Sequence, residues 1–201
     1  MTPALQPTLH PRSLRLRRWL VLATGLALLL ALGLWQQQRR HPPRLLLTEQ
    51  RSADPYLRRV HRLFERAERR IWITLFVLRP SDDADGVVAD LIDALGRAHR
   101  RGVDVRVTLD YGRRWDTGAI EDKHAAAVTL LAAQGIEATL DELDRTTHSK
   151  VILVDERWAV VGSHNWTRSA LLHNRETSVL IDDPALVAQL AAHWPQPANN
   201  N

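Results

Sequence analysis

The sequence predicts an α/β layered domain that is preceded by one N-terminal transmembrane helix. Two patterns in its 201 residues predict this: an uncharged apolar run near the N-terminus, and an alternation of apolar β-type segments with helical periodicity through the rest of the chain. The length leaves room for one domain of ordinary size and an appendage. Because cysteine is absent, disulfide bonds and thiolate metal sites are excluded.

The N-terminal appendage consists of a basic segment, residues 1–18, and an uncharged run of 17 residues from Trp19 to Trp35. This length lies at the lower end of the roughly 17–25 residues that span a bilayer, and tryptophan at each end suits the two interfaces. We interpret residues 19–35 as a transmembrane anchor, with a cleavable signal sequence as the alternative. The slight excess of arginine before the run indicates a single-pass protein with a cytoplasmic N-terminus and an exported C-terminal domain, periplasmic or extracellular.

Charge is distributed unevenly along the chain. The formal net charge is +4, but residues 55–190 hold 19 Lys and Arg against 21 Asp and Glu, a net charge of −2. A polycationic body is therefore excluded, and any basic groove must be local. We divide the rest of the chain into a linker, residues 36–54, a folded domain, residues 55–194, and a disordered tail, residues 195–201.

Helices and strands alternate within the folded domain. Pro55 opens a helix with apolar residues at helical spacing, and its other face carries five arginines that are either solvated or turned toward lipid or phosphate. Residues 71–78 form a continuous apolar run typical of a buried strand. The predicted helices are 55–70, 86–101 and 121–134, and the predicted strands are 71–78, 103–110, 136–140, 149–154 and 158–161.

The most informative segment lies on the last two predicted strands. It reads H-x-K-x4-D-x6-G-S-x-N and contains His148, Lys150, Asp155, Gly162, Ser163 and Asn165. Residues two apart on a strand project to the same side, so the imidazole and the ammonium face one point. Histidine can act as a nucleophile or as acid and base, lysine supplies a fixed positive charge, and asparagine donates to phosphate oxygens. The pattern therefore predicts phosphoryl chemistry.

Cleavage of a phosphodiester needs an unprotonated nucleophile and a protonated acid in one step, and one imidazole cannot be both. The chain has one H-x-K segment, so a second histidine must come from another copy. The segment resembles the signature of the phospholipase D superfamily. Residues 101–107 with Asp110, and residues 165–176, extend the resemblance to about residues 55–190. The small single-motif members that the chain resembles are bacterial exported nucleases and mitochondrial cardiolipin-hydrolase-like enzymes.

The resemblance implies a phospholipase D-like α-β-α sandwich with a mixed central sheet. It also implies a C2 homodimer in which His148 of each subunit faces one shared phosphate, and a phosphohistidine intermediate without cofactor or metal. Lys150 and Asn165 would hold the phosphoryl oxygens, and Glu176 would orient a catalytic histidine. Asp155 would belong to the catalytic group by bracing the site.

The remaining candidate residues support these. Ser163 anchors the loop or a phosphate oxygen, and Gly162 lets the backbone approach a ligand closely. A loop with Arg113, Arg114 and Trp115 is a possible substrate groove, joined by Lys123, or a loop that packs its indole on the domain. The other histidines near these segments, His99, His124, His164 and His173, are expected to be exposed.

Several functions remain open at this point. The preferred one is a membrane-anchored phosphodiesterase that acts on phospholipid headgroups, because the domain is not cationic. A metal-independent non-specific endonuclease is the main alternative. A phosphatidyl transferase and a non-catalytic membrane scaffold are the others. The expected partners are a second copy of the chain, a phospholipid or nucleic acid substrate, and the membrane.

Overall fold

The computed structural model describes residues 21–31, 42–48, 55–80, 86–111, 123–142 and 145–195. The chain divides into two compact units, Met1–His41 and Pro42–Asn201. In the first unit, residues 21–31 form helix α1. Within the described ranges, no helix has both the length and the apolar character needed to cross a membrane. The other residues of the expected anchor, and all of the expected tail except Pro195, lie outside these ranges.

The second unit is built around a seven-stranded sheet of mixed direction. In spatial order its strands are β1 (Arg44–Leu47), β9 (Thr177–Asp182), β7 (Trp158–Gly162), β6 (Lys150–Val154), β2 (Arg70–Leu75), β4 (Asp104–Leu109) and β5 (Ala138–Leu140). Strands β2, β4 and β5 are parallel to one another, and all other neighbours in this sheet pair antiparallel. Two short strands, β3 (Leu78–Arg79) and β8 (Trp166–Thr167), form a separate parallel pair.

Helices pack on both faces of the sheet. They are α2 (Tyr56–Arg66), α3 (Val87–Arg100), α4 (Ala125–Ala133), α5 (Arg168–Leu172) and α6 (Pro184–Ala192). Helices α2 to α5 share one core with the sheet, in which Phe64, Ile73 and Leu95 are fully buried. Each such side chain contributes about 1.5–3 kcal/mol through burial. On the other face, Val187 of α6 packs against Leu153. The predicted α/β class with a mixed central sheet is confirmed.

One end of the sheet brings the motif-bearing strand ends together. Leu75 at the end of β2 pairs with Lys150 at the start of β6. Gly162 at the end of β7 pairs with Ser178, one residue after Thr177 begins β9. We call this the motif end of the sheet. Val151 of β6 pairs with Val161 of β7, so the start of β6 and the end of β7 lie side by side.

The strand expected at residues 71–78 is interrupted. Strand β2 ends at Leu75, and β3 starts only at Leu78, so Phe76 and Val77 leave the main sheet at the motif end. The apolar run continues because Leu78 is fully buried in the same core. Periodicity could not show this break, because a continuous apolar run carries no register information.

The linker prediction is wrong for residues 44–47, which form the edge strand β1. Leu46 of this strand is fully buried, whereas Leu45 is 55% exposed. The run Arg-Leu-Leu-Leu has no alternation, so its period-2 burial is invisible in the sequence. The folded domain therefore begins before Pro55.

Candidate active site

His148 and Lys150 lie at the motif end, as their spacing predicted. The lysine Nζ lies 3.3 Å from Nδ1 of His148 and donates to the carbonyl oxygen of the same residue at 2.6 Å. His148 is exposed and Lys150 is half-buried. The ammonium is therefore fixed beside an imidazole that solvent and substrate can reach.

The two residues between β2 and β3, Phe76 and Val77, link His148 to Asn165. The ring of Phe76 packs at 4.4 Å, centroid to centroid, against the ring of His148. The next residue, Val77, donates its backbone N–H to Oδ1 of Asn165 at 3.2 Å. This bond orients the side-chain amide with Oδ1 occupied, so Nδ2 is left as a donor for a phosphoryl oxygen. Two consecutive residues thus hold the histidine and the asparagine together.

Glu176 and Ser163 form a second polar group at the motif end. The Ser163 hydroxyl donates to Oε2 of Glu176 at 2.5 Å and accepts from the backbone N–H of Thr177 at 3.0 Å. Oε1 of Glu176 accepts from the side-chain amide of Asn174 at 3.0 Å. Among the described residues, the hydrogen bonds of Glu176 go to Ser163 and Asn174 and not to His148. Its role in orienting a histidine stays a prediction.

Burial and three charged neighbours act on the pKa of Lys150. Burial lowers the pKa of Lys150, and Glu176 opposes this, while Lys123 lowers the pKa further and Asp110 raises it. Two carboxylates and a second ammonium are therefore close enough to act on the lysine. Among the described residues, no group of three or more His, Asp or Glu side chains is arranged to hold a metal ion.

The structure corrects the position of Asp155. It follows the last residue of β6, five residues beyond Lys150, so about 17 Å of strand separates it from the motif end. Its Oδ1 accepts the backbone N–H groups of Glu68, Arg69 and Arg70 at 3.2, 2.8 and 3.2 Å. Asp155 also has a φ of 52°, in the left-handed region that aspartate and asparagine tolerate best. It stabilises the turn between α2 and β2 rather than the candidate active site.

We therefore expect Asp155→Ala to destabilise the fold by about 2 kcal/mol while kcat in the folded fraction stays near wild type. The loss arises because three backbone donors lose their acceptor and alanine tolerates the left-handed conformation less well. Chemical denaturation measures the stability change. Asp155→Asn is the matched control, since it keeps Oδ1 and the favoured backbone conformation. A large fall in kcat in the folded alanine variant would return Asp155 to the catalytic group.

His164 is buried, and the expectation that it is exposed is wrong. It is 1% exposed and its ring stacks on Tyr56 at 3.9 Å, because Ser163 and Asn165 turn outward and leave the residue between them facing the core. Thr48 Oγ1 donates to the carbonyl oxygen of Ala170, so it must accept from His164 Nε2 at 3.1 Å. Nδ1 then accepts from the hydroxyl of Ser178 at 2.8 Å.

The charge state of His164 follows from this burial. Burial lowers the pKa of His164 to about 4, against the opposing effect of Glu176. The ring is therefore neutral at pH 7. It links residues 163–165, which we call the motif loop, to Thr48, the residue after β1, and to Tyr56, the first residue of α2.

Three other histidines were expected to be exposed. His99 and His173 are exposed, which confirms the expectation for both. His124 is 3% exposed, and its Nδ1 lies 3.4 Å from the backbone nitrogen and 3.3 Å from the carbonyl oxygen of Leu78. The expectation is wrong for His124 because the start of α4 packs against β3, a contact that local sequence does not encode.

The candidate groove residues Arg113, Arg114 and Trp115 lie outside the described residues. The five arginines predicted on the face of the first helix are all described, and α2 itself carries Arg58, Arg62 and Arg66. A cavity of about 270 Å³ is lined by Arg44, Arg59, Arg62 and Arg66, with Asp155 and Trp158 among its other residues. Since Asp155 follows the far end of β6, this cavity lies away from the motif end. These arginines are not part of the candidate active site.

The sequence analysis missed two residues that the structure brings to the site. Phe76 contacts His148 directly, and Asp110 accepts the backbone N–H of Thr147, the residue before His148, at 2.9 Å. Asp110 was noted only as part of a resemblance. Both follow strands that end at the motif end, and polar or aromatic residues just after parallel strands are a usable indication of a site.

A mixed sheet that presents histidine, lysine and asparagine at one end is the arrangement of the phospholipase D-like class. The family described as "Cardiolipin synthase, PLD-like domain" matches residues 60–196, and the chain belongs to this family.

Individual relatives agree with this assignment. The chain is 32% identical over 122 residues, 61% of its own length and 48% of the relative's, to mitochondrial cardiolipin hydrolase from Chlamydomonas reinhardtii. It is 33% identical over 101 residues, 50% of its length and 46% of the relative's, to phospholipase D from Rickettsia prowazekii. The chain thus spans about half the length of the curated relatives it matches. A crystal structure with a similar fold is that of Nuc, a phospholipase D family member from Salmonella typhimurium. The two structures have a TM-score of 0.60 at 27% sequence identity, and the match covers 76% of this chain and 90% of the Nuc chain.

Proposed function

We propose that the protein is a phosphodiesterase of the phospholipase D type. The observation that carries the proposal is the placement of an exposed imidazole, His148, with the Lys150 ammonium 3.3 Å from its Nδ1 and Asn165 linked to it through consecutive residues of one segment. This arrangement provides a nucleophile, a fixed positive charge and a neutral donor for one phosphoryl group.

The reaction proceeds in two displacements. A ring nitrogen of His148 attacks phosphorus, and the bond from phosphorus to the leaving oxygen breaks as that oxygen takes a proton from a second histidine. The product of this step is a phosphohistidine and a free alcohol. Water, deprotonated by the second histidine, then attacks phosphorus, the P–N bond breaks, and a phosphomonoester leaves. Lys150 and Asn165 stabilise the charge that develops on the non-bridging oxygens.

A second copy of the chain supplies the second histidine. The contact of Lys150 with Nδ1 of His148 favours the tautomer with its proton on Nε2. The remaining lone pair, on Nδ1, accepts from the ammonium and is not available to attack phosphorus. The attacking tautomer needs an acceptor at Nδ1. Within one chain the carboxylate of Glu176 is bonded to Ser163 and Asn174. We propose that two chains pair symmetrically at their motif ends, so that each Glu176 can orient the opposite histidine.

Phospholipid headgroups are the substrate that we prefer. The net charge of −2 over residues 55–190 argues against a general nucleic-acid surface. Two of the relatives named above are a cardiolipin hydrolase and a phospholipase D. Nucleic acid is the second candidate, because the segment that follows β4 in the sequence contains Arg113, Arg114 and Trp115, a combination of cations and an aromatic ring that suits phosphates and bases.

We also propose that residues 19–35 anchor the protein in a membrane as a single-pass segment with a cytoplasmic N-terminus. The support is the uncharged run between two tryptophans and the arginines that precede it. The phosphodiesterase domain would then be exported, outside the cytoplasmic membrane.

The test uses the full-length chain in detergent with EDTA present throughout. Headgroup release from phospholipid vesicles is compared with cleavage of single-stranded DNA, double-stranded DNA and RNA. Rapid acid-free quenching and mass spectrometry monitor the peptide that contains His148. We expect turnover without added metal and a transient mass increase on that peptide equal to the mass of the substrate minus that of its leaving alcohol.

The outcomes separate the candidates. Lipid turnover alone supports the preferred substrate, and cleavage of nucleic acid with lipid untouched replaces it by the second candidate. Lipid products that carry an added alcohol would indicate transfer instead of hydrolysis. Full loss of turnover in EDTA, restored by a divalent metal, would refute the proposed mechanism.

A further inference from the structure

The ring of Phe76 lies among the side chains of His148, Lys123 and Lys150 at the motif end. It packs on the imidazole of His148 at 4.4 Å with an interplanar angle of 51°. The Nζ atoms of Lys123 and Lys150 lie 3.9 and 4.9 Å from its centroid. These two are the only lysines in a chain with 27 Lys and Arg residues. Both ammonium groups are within the distance at which the negative face of an aromatic ring attracts a cation.

Lys123 is held in this position by Asp110. Its Nζ donates to Oδ2 of Asp110 at 2.6 Å, and the side chains are 12% and 4% exposed. The other carboxylate oxygen, Oδ1, accepts the backbone N–H of Thr147 at 2.9 Å. One buried carboxylate therefore fixes both the ammonium that faces Phe76 and the backbone immediately before His148.

The orientation of the His148 ring needs to be fixed for catalysis. His148 is exposed, and its ring has no carboxylate partner among the described residues of its own chain. An imidazole in that situation can rotate away from the attacking geometry, and a small misplacement of a reacting group costs a large factor in rate. A ring packed against the imidazole, even at a tilt, restricts the rotation, provided that the ring itself is fixed.

We propose that Phe76, with Lys123 held by Asp110, positions the His148 imidazole for attack. The proposal rests on the proposed phosphodiesterase function and adds three positioning residues to it. The cation–π contacts fix Phe76, and Phe76 limits the orientation of the imidazole. Lys123 acts through the ring and does not bind substrate, which distinguishes it from Lys150.

The kinetic test uses full-length Phe76→Leu, Lys123→Met and the double variant, with bis(p-nitrophenyl) phosphate as the probe. We expect each single variant to lower kcat by about tenfold, with KM changed less than about twofold, because positioning affects the transition state rather than ground-state binding. The double variant should lose about as much as either single variant, since the two residues act through one contact.

Matched variants separate positioning from general damage. Phe76→Tyr and Lys123→Arg keep the aromatic face and the charge, so kcat should return to within about threefold of wild type. Arg97→Met removes an exposed cation from α3, outside the site, and should leave kcat unchanged. Thermal denaturation verifies that every variant is folded.

A second readout does not depend on turnover. The ring current of Phe76 shifts the NMR resonances of the His148 ring protons. We expect Lys123→Met to move these chemical shifts toward the values seen in Phe76→Leu. Unchanged kcat and unchanged His148 shifts in folded Lys123→Met would overturn the proposal, as would independent, multiplicative losses in the double variant. A wild-type protein inactive on every phosphodiester would refute the proposed function, while the NMR comparison would still decide whether Lys123 orients the ring.

Discussion

Replacing His148 with alanine is expected to lower kcat for phosphodiester hydrolysis by about 10⁴-fold or more, because the proposed nucleophile is then absent from the site. The fold should survive, since the side chain is exposed and its removal leaves no buried cavity. Activity is measured with the phospholipid and nucleic acid substrates of the test above, and circular dichroism and thermal denaturation verify the fold. Residual activity near wild type in the folded variant would remove His148 from the mechanism.

The same variant tests the shared site. Wild-type and His148→Ala chains are co-refolded or co-expressed in equal amounts with different tags. If each site needs one histidine from each chain, mixed dimers are inactive and random pairing leaves about a quarter of the wild-type activity. If each chain works alone, about half remains. A monomer that retains full specific activity on dilution would contradict the dimer.

Replacing Gly162 with alanine is expected to have the largest effect on stability. A Cβ at this position would overlap Ser178 Oγ, Ser178 Cα and the carbonyl oxygen of Thr177. Two of these atoms belong to the backbone of β9, so relief requires β7 and β9 to separate. We expect a loss of about 3 kcal/mol or more, and for a domain of this size a fall in Tm of about 6–12 °C. Differential scanning calorimetry measures both.

Gly96→Ala provides the matched control. The three nearest atoms to a Cβ there are side-chain atoms of Gln134, which can move aside at the cost of its bonds with Arg100 and Asp93. The loss should be well below that of Gly162→Ala. Equal losses would mean that strand separation is not the cause. The close approach that requires glycine at position 162 is to a neighbouring strand, whereas the sequence analysis had assigned it to a ligand.

Apart from β1 and β3, the regular elements from α2 to β7 could be predicted because each carries a local pattern. Helix α3 ends with basic residues and is followed by Gly102, and β4 alternates from Asp104 to Leu109. The later elements were not predicted, although Asp183 caps α6 by accepting from the N–H groups of Ala185 and Leu186, with Pro184 at the first position. Those start residues were readable from the sequence.

Within the site, contacts between residues close together in the sequence could be predicted, whereas contacts between distant residues could not. The spacing of His148, Lys150 and Asn165 is local and was sufficient to place them at one end of the sheet. The contacts of Phe76 with His148 and of Asp110 with Thr147 span 72 and 37 residues and depend on strand pairing. The misplacement of Asp155 has the same origin, since its three donors lie 85 to 87 residues earlier.

The sequence by itself determined the α/β class, the family resemblance and the reaction chemistry of the motif, because periodicity, residue type and short spacing are local properties. The tertiary structure alone decided which residues surround His148, which face of the motif loop is buried, and where Asp155 lies. Those outcomes depend on strand order and register, which join distant segments and which no local pattern specifies.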